Sequence, residues 1–214
     1  MPTSTWFRLN VANRERVLDA AMREFGKRGF SGGDLEAIAR EAEIPNGNLL
    51  HYFADKQELF GYVCDEAARR MREEMERRVG DLDFDQPFED WLVDVICEWS
   101  EFIAEHPLER GITAAGTHEM DVAVAGLVRE TTHRQYLQII EPMLAVWQSS
   151  GQIRADADHQ VLTFLALTIF QHVALAPYYE GVDPVLNLHG RSVEEQRPVL
   201  RQLVAGLRPL FVKV

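Results

Sequence analysis

The sequence predicts an all-α protein: an N-terminal helix-turn-helix module of three helices followed by a larger helical domain. Three observations carry this. No stretch shows the clean apolar/polar alternation and β-branched enrichment of a strand. Apolar residues instead recur three and four positions apart almost throughout. Glycine, proline and capping residues punctuate those segments where helices have to stop and start.

The first helix is expected over 13–28, capped by Asn13, with Val17, Leu18, Ala21 and Phe25 on one face. Gly29 should end it in a left-handed conformation. A short helix over 35–42 follows, with Asp34 as N-cap, and then another over 45–52 with Pro45 in its first turn, where no N–H is needed. A long helix spans 56–79. Residues 80–86 form a polar joint, and Pro87 opens a helix that ends near Glu105, before His106-Pro107. Two helices fit within 108–150, with a break around 116–121 and a kink at Pro142. Asp156 or Asp158 caps an apolar helix reaching Ala176. The last helix, about 193–207, opens with Ser192 and Glu195 at capping-box spacing, although Pro198 argues for a later start.

Composition sets the outer bounds. The chain has 214 residues, 46% hydrophobic and 26% charged, which excludes disorder as the main state. The two cysteines, Cys64 and Cys97, lie in no metal-type spacing and read as reduced core thiols in a cytoplasmic protein. No apolar run is long enough for a bilayer, and the first residues lack a secretory h-region, so no membrane partner is expected. The net charge is -12, but it is unevenly spread. Residues 1–60 hold 8 basic and 9 acidic residues, so nearly all the acidity falls later. Only this near-neutral first part could approach a polyanion without strong repulsion.

The informative stretch is LEAIAREAEIPNGNLLHYF, residues 35–53. Two short helices joined by a tight turn need a small residue where they touch and apolar residues on either side. Ala39, Ile44 and Leu49 have that spacing, and Ile38, Ala42, Leu50 and Phe53 are further core-facing candidates. Asn46, Gly47 and Asn48 begin the second helix. Short amides can read base edges, and Gly47 lets the backbone come close.

Residues 17–60, VLDAAMREFGKRGFSGGDLEAIAREAEIPNGNLLHYFADKQELF, resemble the DNA-binding domain of tetracycline-repressor (TetR) family regulators. The likeness rests on the first-helix pattern, Gly29-Phe30, Ile38-Ala39, Gly47-x-Leu49, His51-Tyr52-Phe53 and Lys56. More loosely, LLHYF-x-x-K with Gln171-His172 and Ala176-Pro177 is similar to the branch containing the pyrimidine-utilisation regulator. The family resemblance implies phosphate contacts from His51, Tyr52 and Lys56, a double-stranded DNA operator, a homodimer and a small-molecule effector. Four positions depart from the family pattern. Glu43 stands where glycine is usual, Asp34 replaces Thr or Ser, Leu50 replaces Tyr, and Asn46 replaces Lys or Arg. Together they imply weaker backbone affinity, offset by Arg8, Arg14 and Arg16.

The expected division is a DNA-binding domain over 1–55 and a ligand-binding and dimerisation domain over 56–214. Candidate ligand contacts are Trp91, Trp99, Phe102, His118, Tyr136, Phe164, Gln171 and His172, the aromatic and isolated polar residues of the second part. Leu162, Leu165, Ile169, Leu200, Leu203 and Leu207 are candidates for the dimer interface. One Glu-x-x-His, Glu130 and His133, is too little for a helical di-iron site, and no other catalytic pattern is present. The expectation is therefore a regulator, not an enzyme, without cofactor or metal. The alternative is a helical small-molecule-binding or partner-binding protein with no DNA function.

Overall fold

The N-terminal residues form a helix that the apolar pattern did not announce. In the computed structural model, which describes residues 2–45 and 47–212, α1 spans Ser4–Arg8. Its Trp6 is fully buried against the rings of Tyr52, Phe53 and Tyr62, at centroid distances of 5.8, 5.0 and 5.7 Å.

Helix α2 spans Val11–Gly32. The cap is Asn10, not Asn13: the Asn10 side chain accepts from the Asn13 N–H at 2.8 Å, so the helix starts earlier than expected. Val17, Leu18, Ala21 and Phe25 are all buried, as the periodicity requires. Gly29 has a positive φ, 67°, but with ψ at -177° it is extended and not the expected left-handed helical cap, and helical structure resumes as far as Gly32.

Helix α3, Leu35–Glu41, is capped by Asp34, whose carboxylate accepts from the Glu36 N–H at 2.9 Å. The turn places Glu43 at φ 55°, a position that costs a non-glycine residue about 1 kcal/mol. Helix α4 is Asn48–Tyr52, with Gly47 as its left-handed N-cap at φ 89°. Pro45 therefore precedes this helix and is not in its first turn.

Helix α5, Lys56–Gly80, is capped by Asp55. Asp55 accepts from the Glu58 N–H at 2.8 Å, and Glu58 accepts from the Ala54 N–H at 2.6 Å. Then come α6, Phe88–Glu105, and α7, Pro107–Thr117, with proline at its start. Helix α8, Val122–Ser149, runs on through Pro142. Helix α9, His159–Leu175, is capped by Asp158, which accepts from the Gln160 and Val161 N–H groups. Helix α10, Val193–Phe211, begins at the Ser192/Glu195 capping box despite Pro198. Both Pro198 and Glu194 are exposed, so water can satisfy the Glu194 carbonyl that the proline leaves without a donor. Among the described residues there is no strand, and no helix is long and apolar enough to cross a membrane.

The chain packs as two compact units that cut across the expected 1–55 and 56–214 division. One holds the residues through Arg70 together with His106–His133; the other holds Met71–Glu105 and the residues from Arg134 on. The reason lies in the first unit. Gly26 of α2 and Gly111 of α7 let two helix backbones meet, so α7 is bound into the module that carries α3 and α4. Arg70 reinforces this, with Glu15 at 2.5 Å, Glu66 at 3.4 Å, Glu109 at 3.5 Å and Asp19 at 3.6 Å around its guanidinium. In the second unit α6 packs against α9 and α10. Leu162 and Leu200, expected at a dimer interface, are buried within this unit. Both cysteines are buried thiols, and burial raises the pKa of each above its ordinary value.

Candidate nucleic-acid interface and ligand cavity

Helix α4 has only five residues, so one face must hold it while the other stays available. Leu49, Tyr52 and Phe53, three and four positions apart, turn inward and are 2, 7 and 1% exposed. Ala39 and Ile38 of α3 are buried in the same module, and the Ile44 N–H donates to the Ala39 carbonyl at 3.0 Å. This is the small-residue contact that the spacing predicted. Helix α1 holds the far end. The Thr3 N–H donates to the Tyr52 carbonyl and the Thr3 hydroxyl donates to the His51 carbonyl, each at 2.9 Å. These are two of the carbonyls that a helix C-terminus leaves without an internal donor.

The outer face carries Asn48, Leu50 and His51. His51 is exposed and Asn48 partly so. Leu50 is 57% exposed, which corrects its expected place in the core: it sits about 100° round the helix from Leu49, away from the inward face. Tyr52 is also corrected. Its ring supports α4 from behind, against Trp6, instead of standing on the outer face. Gly47 is exposed at the helix start, and Asn46 lies outside the described residues. Lys56 is half-buried, its Nζ 3.2 Å from the Ser31 carbonyl and 4.9 Å from the Phe30 ring centroid. An ammonium has three donors, so one carbonyl does not use up its capacity for an anion.

Of the basic residues expected to add backbone affinity, Arg8 and Arg16 are exposed and Arg14 is partly exposed. Each has one local hydrogen bond, to Thr5, Asn13 and the Phe7 carbonyl respectively. Arg16 also lies 3.8 Å from the exposed Glu43, a pair that solvent screens.

The second unit holds a small, partly open apolar cavity of about 30 Å³. Its walls come from α6, α8 and α9, with Trp91, Ile140, Met143, Trp147, Ala166 and Phe170 among them. Of the eight expected ligand contacts, Trp91 alone is in this wall. Trp99 and Phe102 are buried and stacked on each other at 6.0 Å. The Trp99 indole donates to the Phe170 carbonyl at 2.8 Å, and Tyr136 meets Trp99 edge-on. Phe164 is 64% exposed and Gln171 is exposed, so neither is placed to line a cavity. His172 lies 3.6 Å from the buried Asp183. His118 is exposed and belongs to the other unit.

Sequence reasoning missed Trp147 as a partner of Trp91, their ring centroids 5.0 Å apart. It also missed Trp6 and Thr3, for which no local signal exists. Among the described residues no three His, Cys, Asp or Glu side chains gather as a metal site.

Residues 17–63 match the family model described as bacterial regulatory proteins, tetR family. The chain is 22% identical over 204 residues to the uncharacterised HTH-type transcriptional regulator YhgD of Bacillus subtilis, covering 95% of this chain and 96% of that protein. It is 25% identical over 194 residues to the HTH-type transcriptional repressor AcnR of Corynebacterium efficiens, covering 86 and 93% of the two. Two solved structures share the fold. One is the regulator FadR of Bacillus subtilis in complex with stearoyl-CoA, with TM-score 0.69, 18% identity and coverage of 89 and 96%. The other is a TetR-like regulator from Rhodococcus sp. RHA1, with TM-score 0.63, 24% identity and coverage of 94 and 98%. The narrower likeness to the pyrimidine-utilisation branch is not supported by these relatives.

Proposed function

We propose that this chain, a tetR-family transcriptional regulator by the module at residues 17–63, is a repressor that binds a palindromic operator as a homodimer and releases it on binding a small molecule. The observation that carries this reading is the division of α4 into two faces. Leu49, Tyr52 and Phe53 fix it from behind, and Asn48, Leu50 and His51 are left toward solvent. A short helix held so firmly, with amide, apolar and imidazole groups outward, is a base-reading surface. Residues 1–55 would read one half-site. Residues 56–214 would dimerise and hold the effector. The protein would act in the cytoplasm, without catalytic activity.

Dimerisation is supported by the outer face of α9, where Val161 is 46% and Phe164 is 64% exposed. Apolar side chains of that size in open solvent suit a helix-pair interface. Two copies would have to set their α4 helices about 34–36 Å apart to enter successive major grooves. An effector that prefers a wrongly spaced state would release DNA by linkage. The apolar cavity supports an effector site, as does FadR, a protein of the same fold whose structure holds stearoyl-CoA.

The test is selection of duplex DNA from a random library by the purified full-length protein, repeated across a salt series. Enrichment of an inverted repeat, with affinity falling steeply with salt, is the expected result. Retention of no sequence at any salt would favour the alternative, a helical small-molecule or partner binder without a DNA role.

A further inference from the structure

We infer that Leu50 reads the 5-methyl group of a thymine in each operator half-site, so that one T·A pair is part of the sequence this protein selects. This rests on reading α4 as the base-reading helix. Leu50 is 57% exposed, whereas Leu49, Tyr52 and Phe53 beside it are buried. Successive residues step about 100° round a helix, so His51 comes to the middle of the outer arc, with Leu50 on one flank and Asn48 on the other. The helix is firmly mounted in that orientation. The Thr3 N–H and hydroxyl donate to the Tyr52 and His51 carbonyls, each at 2.9 Å, and the Trp6 ring lies against those of Tyr52 and Phe53. Turning α4 far enough to hide Leu50 would break these contacts and expose Leu49. The exposure of Leu50 is therefore imposed by the packing behind it.

The chemistry of the groove selects the partner. A helix in the major groove brings its outer side chains against base edges and phosphates. Leucine has no hydrogen-bond donor, so a phosphate beside it loses water and gains nothing. Of the groups that base pairs display in that groove, the thymine 5-methyl is the apolar one; the others are acceptors or amino donors. Against cytosine, Leu50 would strip water from the amino group and put no acceptor in its place. Against thymine, two apolar surfaces leave water together. Leu50 thus discriminates twice, for the methyl group and against an amino group. The base 5-methylcytosine carries the same methyl beside an amino donor, which makes thymine the better partner. Asn48, on the opposite flank, is a hydrogen-bonding reader, so the two flanks recognise different marks.

The experiment uses the full-length protein and the duplex enriched from the random library. Each thymine of a half-site is replaced in turn by deoxyuridine, which removes the methyl group and keeps the base pairing. At one position the dissociation constant should rise about fourfold, and about sixteenfold when both half-sites are changed. Replacing that T·A pair by C·G should cost about tenfold in one half-site, and 5-methylcytosine should recover about fourfold of it. These arms need no altered protein. Leu50→Ala, at an exposed position where truncation opens no cavity, should bind thymine and deoxyuridine duplexes equally, with its helical circular dichroism unchanged. If no thymine responds to loss of its methyl, or if the response persists in Leu50→Ala, the inference is overturned and the operator reading stands. If no sequence is enriched at all, the base-reading role of α4 fails and the inference fails with it.

Discussion

Gly26 and Gly111 meet backbone to backbone where α2 crosses α7. A Cβ on Gly26 would stand 3.1 Å from the Gly111 backbone, and one on Gly111 would stand 3.2 Å from the Gly26 Cα. In an open helix, replacing glycine by alanine stabilises by about 0.5–1 kcal/mol. At this crossing the added methyl meets main chain that cannot rotate away, and overpacking costs about 1–3 kcal/mol. Gly26→Ala and Gly111→Ala should therefore lower the urea midpoint. Gly206→Ala in α10, where a Cβ would meet nothing within 4 Å, should raise it slightly. Equal shifts at positions 26 and 206 would show that the helices do not meet so closely.

Trp6 is the second joint of this unit. It is fully buried among three aromatic rings, two of them from the α4 segment. Trp6→Ala removes that packing and should cost about 3–5 kcal/mol. Hydrogen exchange should then accelerate first at Tyr52 and Phe53, the residues that Trp6 touches. Unchanged exchange there would mean that α1 does not hold α4.

What the sequence disclosed depended on distance along the chain. Asp34, Asp158 and the Ser192/Glu195 box were legible because a cap bonds to a backbone two or three residues away. The break in α2 at Gly29 and the buried stripe of α2 were legible for the same local reason. The bond from Thr3 to His51 spans 48 positions, and nothing near Thr3 marks it. Leu50 was misplaced because hydrophobicity alone cannot decide which face of a five-residue helix is inward; packing of Leu49 and Phe53 decides it. In the second unit, Trp91, Trp99 and Phe164 read alike as candidate ligand contacts. Three-dimensional packing then buried the two tryptophans and left Phe164 exposed.

Asp183 supplies a pH test. Burial alone would raise its pKa. Against that, Oδ1 accepts from the Leu186 and Val185 N–H groups at 2.8 and 3.1 Å, Oδ2 accepts from Leu188 at 2.9 Å, and His172 is 3.6 Å away. These contacts prevail, and the carboxyl lies below its ordinary value of 3.8. A folded pKa below the unfolded one means that the stabilisation is complete above the unfolded value. It is lost as pH falls through the folded one. Asp183→Asn should thus lower the melting temperature at neutral pH, with a deficit that shrinks below about pH 4 as the wild type loses the same charge. A deficit constant from neutral pH downward would show that the charge is irrelevant.

Phe164 tests the assembly. On α9 it is 64% exposed, with Val161 nearby at 46%, while Leu162 is buried within its own unit. A glutamate at Phe164 disturbs nothing inside the protomer but places two like charges near a two-fold axis if α9 pairs with its copy. Phe164→Glu should therefore shift the protein from dimer to a 24.5 kDa monomer in sedimentation at micromolar concentration, with its helical circular dichroism unchanged. A wild type that already sediments as a monomer would remove the dimer from the proposal.

The last prediction separates the two kinds of DNA contact that the proposed function assigns to Asn48 and Lys56. Asn48 begins α4 on its outer side, where an amide can pair bidentately with adenine, worth about 1–3 kcal/mol of discrimination. Lys56 begins α5, its ammonium near the Ser31 carbonyl and the Phe30 ring, so it is positioned as a fixed charge instead of a base reader. Phosphate contacts hold register without carrying sequence information. Asn48→Ala should weaken the selected operator far more than random duplex and leave the salt slope nearly unchanged. Lys56→Ala should weaken both by similar factors and make the slope shallower by about 1 per monomer. The measurement is binding of both variants to operator and random duplexes across a salt series. The reverse pattern, with Lys56→Ala altering specificity and Asn48→Ala altering only the slope, would mean that α4 is not the helix that reads the bases.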